Sequence, residues 1–200
     1  MKVIVIGATG TIGKEVVNLL SSSHEVIGVA HRSGDFQVDI TSKASIDQLY
    51  RAVEPFDALI STAGGGRFAR LNELTDEDYM WGLTYKLMGQ VNLVRMGQEY
   101  IKDGGSFTFT SGAAGRYPIP GSSSISMVNA GLEGFVRAAA LEMERGVRIN
   151  VVSPIFVKET AEAMKLNIPK SMPAAKVALS YKVSIESQRN GEVLDVRDFA

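Results

Sequence analysis

The residues KVIVI (2–6) run straight into GATGTIG (7–13), whose last residues open the helical pattern TIGKEVVNLLSSS (11–23). An apolar strand that breaks on a glycine and feeds a helix without a linker is the first half of a strand–helix–strand unit. Such a unit belongs in a parallel sheet with right-handed crossovers, which excludes most other architectures. Gly7 permits the tight turn, Gly10 lets a ligand approach the backbone, and Gly13 lets the helix pack close to the sheet. The start of the helix offers free N–H groups and partial positive charge, which suit phosphate. The spacing is GxxGxxG. A P-loop reading fails: Ala8 stands at its first glycine, and Glu15 replaces the Mg²⁺-binding hydroxyl with a carboxylate that repels a triphosphate.

Short β-branched runs alternate with helical patterns along the rest of the chain. Strands are expected at EVIGVA (25–30), FQVDI (36–40), FDALIST (56–62), SFTFTS (106–111), VRINVVS (147–153) and EVLDV (192–196). Helices are expected at 42–53 with a serine cap, across a partly interrupted region at 72–102, over 121–143, and near 173–188. With the first strand this makes seven. Strands apolar on both faces, separated by helices, predict an α/β fold: one three-layer, Rossmann-type, doubly wound parallel sheet in a single domain over 1–200.

Of the 200 residues, 21 are Lys or Arg and 22 are Asp or Glu, a net charge of −1. That balance leaves no electrostatic footprint for nucleic acid or an anionic membrane. No apolar run is long enough to span a bilayer, and the opening MKVIVIGATG does not read as a signal peptide, so a cytoplasmic protein is expected. The chain has no cysteine and only two histidines, His24 and His31, without paired-ligand spacing or partner acids at suggestive spacing. Thiol chemistry is excluded and a catalytic metal is not expected.

The end of the second strand bears on which dinucleotide the loop holds. An acid there suits the ribose 2′-OH of NAD, whereas a basic residue suits the 2′-phosphate of NADP. The strand runs into Ala30-His31-Arg32-Ser33 with no acid before Asp35. The planar guanidinium of Arg32 fits a phosphate, so NADP(H) is the expected cofactor; the alternative is a solvated loop arginine.

GATGTIG, VDI (38–40) and STAGG (61–65) resemble, in order, the glycine loop, the adenine-contacting Asp and the NAG turn of the short-chain dehydrogenase/reductase family. The resemblance continues through FTFTSGAAG, NAGLEGFVRAAALEMERGVRINVVSP and NGEVLDV, nearly the whole chain. It implies a seven-stranded sheet and an oxidoreductase acting on a small-molecule carbonyl or alcohol. It places the coenzyme on Gly7, Thr9, Gly10, Thr11, Ile12 and Gly13, then on His31, Arg32 and Ser33. Asp39, Ile40, Ala63, Gly64 and Gly65 follow, and Pro154 and Ile155 stand at the nicotinamide side. The family's usual pairing of helices, here 85–102 with 122–145, implies a homodimer or homotetramer.

The resemblance also exposes departures. The family's site has a serine after the fifth strand, a YxxxK pair on the next helix and an asparagine on the helix before. Ser111 stands at the serine. One register puts Ile125 and Asn129 at the tyrosine and lysine; a shift by one puts Ser124 and Val128 there, and neither recovers the pair. Lys86 stands at the asparagine, so lysine and asparagine exchange places. Candidate replacements are Lys86 as proton donor with Asn129 on the ribose, Tyr117 swinging inward, or water, with Ser111 donating to a carbonyl. The readings left open are an oxidoreductase with an altered site, a non-catalytic NADP(H) binder, and an empty structural relative. Trp81, Met80, Met88 and Met96 read as core or subunit interface rather than ligand contacts.

Overall fold

Along β1 (Lys2–Ile6), Val3 and Val5 belong to one buried cluster and Ile4 and Ile6 to another. Both faces of this strand are therefore covered, as expected where helical crossovers join parallel strands. In the computed structural model, which describes residues 1–199, seven parallel strands form one sheet. After β1 come β2 (Glu25–Ala30), β3 (Phe36–Gln37), β4 (Phe56–Ser61), β5 (Ile101–Thr110), β6 (Arg148–Ser153) and β7 (Val193–Asp195). Their spatial order is β3-β2-β1-β4-β5-β6-β7.

One face carries α2 (Lys43–Val53), α4 (Gly89–Gly97) and α5 (Ser123–Ala139), through Ile46, Leu49, Leu93, Leu132 and Val136. The other carries α1 (Thr11–Leu20) and α7 (Ala174–Glu186), through Val16, Leu20, Val177, Ala178 and Ile185. Tyr50 lies wholly inside the first layer and donates its hydroxyl to the Leu93 carbonyl at 2.6 Å. Tyr181 holds the corresponding place in the second, with its hydroxyl 2.7 Å from Thr110 Oγ1. Each buried phenol has a partner, so neither carries an unmet desolvation cost.

The three-layer doubly wound sheet agrees with expectation, while several boundaries move. β3 pairs through only two residues, because the Asp39 carboxylate accepts from the Thr41 N–H and hydroxyl and turns the chain out of the strand. β5 starts at Ile101, five residues early, and its pairing with β4 is irregular between Phe56 and Ala58. α5 starts at Ser123 and ends at Ala139, inside the expected 121–143. The interrupted region resolves into α3 (Asp76–Trp81), a π-helical stretch Gly82–Met88, and α4. A short helix not foreseen from the sequence, α6 (Lys158–Ala163), follows β6. No helix among the described residues is long and apolar enough to cross a membrane.

Strand order reverses direction between β1 and β4. At such a switch point the loops leave the carboxyl ends of the strands on opposite sides and open a crevice. The glycine loop and the STAGG segment flank that crevice.

Candidate active site and coenzyme groove

The crevice holds two adjoining cavities. The outer one is a groove of about 510 Å³ lined by Gly7, Thr9 and Gly10, by Ala30, His31, Val38, Asp39 and Ile40, and by Thr62 to Gly65. Gly7 adopts φ +86°, and a Cβ on Gly13 would stand 2.0 Å from the Gly7 carbonyl oxygen. The loop thus folds tightly onto the first turn of α1 only because both residues lack side chains. No side chain caps α1: the residue before it is Gly10, and its first turn has no acid. Its leading N–H groups are left uncapped beside the groove. A diphosphate fits this cradle sterically and electrically.

Thr11, Ile12 and Gly13 form the start of α1, as the loop requires. His31 and Asp39 border the groove, while Arg32 and Ser33 are exposed beside it. The Asp35 carboxylate accepts the Gly28 N–H at 2.8 Å and is not part of the lining. Hydrogen bonds from Thr41 hold the Asp39 carboxyl below the usual carboxylate range.

Sequence reasoning missed two groove residues. Trp81 and Tyr85, expected as filling or not singled out, line this cavity with ring centroids 5.6 Å apart. Gly65 makes room for Trp81, since a Cβ there would meet the indole at 3.1 Å. Met80 and Met88 point instead to solvent, and Met96 packs on the core. Helical periodicity of 3.6 does not place Tyr85, which lies within the π stretch where the wider turn rotates the side chains; Trp81 ends α3 just before it.

The same π turn carries Lys86 inward. Glycines stand at its first position and just after its last: Gly82 lies against Val128, and Gly89, the first residue of α4, against Ile40, so no side chain holds the stretch off these neighbours. Lys86 is 6% exposed and its ammonium donates to the Ser111 carbonyl at 2.9 Å. Gln90 stitches the stretch to β5, accepting from the Thr110 N–H at 3.0 Å and donating to the Lys86 carbonyl at 3.1 Å. No carboxylate pairs with Lys86 among the described residues. Burial pushes its ammonium down to about 8.

That shift has a measurable sign. Between about 8 and the ordinary 10.5 the unfolded chain holds a proton that the folded chain has lost, so stability rises with pH across this window. The full rise is on the order of 3 kcal/mol. Urea unfolding at pH 7 and pH 10 is expected to show that gain in the wild type relative to Lys86→Met. Parallel pH profiles for the two proteins would contradict it.

Lys86 stands at the inner end of the second cavity, about 350 Å³. Ser111, Gly112, Ile125, Asn129, Pro154 and Ile155 also line it, and Phe68, Tyr117, Ile119 and Phe156 surround its mouth. On α5, Ile125 and Asn129, one turn apart, line the cavity, whereas Ser124 and Val128 are fully buried outside its lining. Asn129 has room because Gly112 and Gly115 press against it, and its Oδ1 is buried with no partner. Ser111 brings its carbonyl to Lys86, but its hydroxyl donates to Glu133 Oε1 at 3.0 Å. Glu133 is itself buried, with Arg116 Nε at 3.6 Å and Arg137 Nη2 at 3.7 Å. Tyr117 is 59% exposed at the rim, with the guanidinium groups of Arg116 and Arg197 5.7 and 5.3 Å from its ring centre.

The remaining histidine has a structural role that its sequence position does not show. His24 Nε2 lies 3.1 Å from Glu186 Oε1, a partner 162 residues away that no local spacing reveals. No cluster of three potential metal ligands occurs among the described residues.

Comparison with known proteins agrees with this geometry. A family profile described as Enoyl-(Acyl carrier protein) reductase matches residues 4–197. The 3-oxoacyl-[acyl-carrier-protein] reductase FabG of Thermotoga maritima is 30% identical over 170 residues, covering 80% of this chain and 68% of that protein. Hydroxynaphthalene reductase arp2 of Aspergillus fumigatus is 27% identical over 146 residues, 68% of this chain and 54% of that one, so the match spans little more than half of this longer relative. Among solved structures, the protein lin1944 from Listeria innocua is 39% identical with a TM-score of 0.94, covering 98% of this chain and 99% of that one. A small-chain dehydrogenase in complex with NADPH is 26% identical with a TM-score of 0.87, covering 98% and 95%. A match that runs from the first strand to the last, on a fold shared almost end to end, makes this chain a member of the short-chain dehydrogenase/reductase family.

Proposed function

We propose that the protein is an NADP(H)-dependent oxidoreductase for a small carbonyl or alcohol substrate, with an altered proton-handling site. The observation that carries this reading is the junction of the two cavities. Gly64, in the wall of the coenzyme groove, lies directly against the Lys86 side chain, whose ammonium borders the inner cavity. A nicotinamide coenzyme, when bound, supplies or accepts hydride. The chain holds its diphosphate on the bare start of α1 and its adenosine beside Asp39 and Ile40. Arg32, with no carboxylate partner among the described residues, provides a free guanidinium for a 2′-phosphate.

In the inner cavity Lys86 holds the proton that a developing oxyanion needs, and Asn129 provides a free amide for the coenzyme's ribose. Ser111 serves chiefly to set the Lys86 ammonium through its carbonyl, its hydroxyl being engaged by Glu133. Pro154 and Ile155 close the side opposite α5 and help exclude water. Self-association through the exposed methionines of the π turn and α5, Met88 and Met127, belongs to the same reading.

Calorimetry tests the coenzyme assignment. NADPH is expected to bind more tightly than NADH, and Arg32→Ala to weaken NADPH by about 10- to 100-fold, the scale of one charge-assisted phosphate contact of 1.5–3 kcal/mol. NADH binding should be unchanged. Equal affinities for the two coenzymes in the wild type would refute the assignment.

A second reading, a non-catalytic NADP(H) binder, is favoured by Ile125, an apolar side chain where a proton donor would face the substrate. NADPH consumption across aldehydes, ketones and quinones separates the two. Turnover that Lys86→Met lowers supports the enzyme, and coenzyme binding without turnover supports the binder.

A further inference from the structure

Among the described residues, Lys86 is the only charged one lining the inner cavity. An ammonium so deeply buried normally has a carboxylate beside it, because an uncompensated buried charge is costly. Here its hydrogen-bond partner among the described residues is one neutral carbonyl, that of Ser111. Glu133, the carboxylate reached through the hydrogen-bond network, lies behind Ser111 and is already matched by Arg116 and Arg137. Two ammonium hydrogens thus remain without a protein acceptor among the described residues. The rest of the lining carries no charge: it is apolar apart from Ser111, Tyr117, Asn129 and Thr160, and its mouth is aromatic, with the rings of Phe68 and Phe156 5.9 Å apart. A site with one cation at its closed end and uncharged, largely apolar walls is complementary to an apolar molecule bearing one negative oxygen.

Deepening the function proposed above, on which it rests for the role of this cavity, we propose that the site takes a small single-ring compound carrying an oxyanion, seated on the Lys86 ammonium. A carboxylate and a phenolate share that chemistry. Burial of the ring against Ile125, Ile155 and Phe156 provides the apolar half of the recognition. The oxyanion replaces water on a group that has been stripped of most of it.

The test compares benzoate with its neutral isostere benzamide by calorimetry on the full chain, with and without saturating NADP⁺. At pH 7 benzoate is expected to bind at least about tenfold more tightly, a difference of about 1.4 kcal/mol. In Lys86→Met the ratio should fall to about one. A wild-type titration at pH 9.5 gives an arm that needs no variant: above about 8 the ammonium is neutral, and the preference should vanish. The titratable groups facing this region from neighbouring elements are Tyr117 at the mouth and Glu133 behind Ser111, with Arg116 and Arg137 on Glu133. The same pH series on Lys86→Met isolates Lys86 from them. 4-Nitrophenol provides the phenolate arm, since its coloured ionised form should accumulate on binding at a fixed pH. Preference for either anion supports the proposal and names the oxyanion. Indifference to charge in both arms, or a preference that survives in Lys86→Met, overturns it. Failure of NADP⁺ to bind would instead remove the coenzyme reading, leaving the benzoate comparison on the free protein to decide this one.

Discussion

Exchanging Lys86→Asn, Ile125→Tyr and Asn129→Lys together is expected to raise NADPH-dependent reduction of simple ketones by about 10²- to 10⁴-fold, the contribution of one well-placed general acid. Ile125 and Asn129 stand one turn apart on the same face of α5, both lining the inner cavity. A phenol at the first and an ammonium at the second would therefore be neighbours, and the ammonium would lower the phenol from about 10 toward neutrality. Asparagine at 86 removes a competing buried cation. One steric demand accompanies the change: Ile125 packs on Gly66, where even a Cβ would come within 2.5 Å, so the loop around Gly66 must give way to the larger ring. Coenzyme affinity and the thermal midpoint should be measured beside turnover. A folded, coenzyme-binding triple variant with no gain in ketone reduction would show that the cavity does not orient a carbonyl as this reading requires.

The other large effect is at the glycine loop. Gly13→Ala should abolish detectable coenzyme binding, a loss of at least about 100-fold, and lower stability by about 1–3 kcal/mol, the usual penalty of overpacking. Its new methyl would lie 2.0 Å from the Gly7 oxygen, 2.7 Å from the Gly7 carbonyl carbon and 2.9 Å from Thr62 Oγ1. Two of these are backbone atoms, so relief requires the loop to leave α1, and the phosphate cradle goes with it. Gly134→Ala is the matched control on α5. Nothing lies within 4 Å of a Cβ there, and the substitution should be neutral or stabilising by up to about 1 kcal/mol. Calorimetry with NADPH and thermal unfolding read both variants. Retained coenzyme binding by Gly13→Ala would mean that the loop does not hold the diphosphate.

The legible part of this molecule is the part written in local pattern. KVIVI followed by GATGTIG, with β-branched strands and helices in alternation, is enough to require a parallel sheet and a tight glycine turn into α1, because a strand's burial and a glycine's freedom are properties of a few consecutive residues. The groove residues Gly7, Gly10, Asp39, Ile40 and Ala63 to Gly65 come together as their motifs imply. That Lys86 and Asn129 line one cavity was not legible, since they lie 43 positions apart in the sequence.

By itself, then, the sequence determined the layer architecture, the seven strands and the glycine-lined crevice at the switch point. Tertiary packing alone decided that Ile125 and Asn129, rather than Ser124 and Val128, face the inner cavity, because a helix shows its register only once the sheet and the 112–115 loop press on it. It also turned the Ser111 hydroxyl toward Glu133 and gave His24 its distant acid. In one π turn it placed Tyr85 at the groove, beside Trp81 from the end of α3, and Lys86 in the interior without a counter-charge. The physical reason is common to all of them: a side chain's direction depends on the helix geometry beneath it and on partners far along the chain.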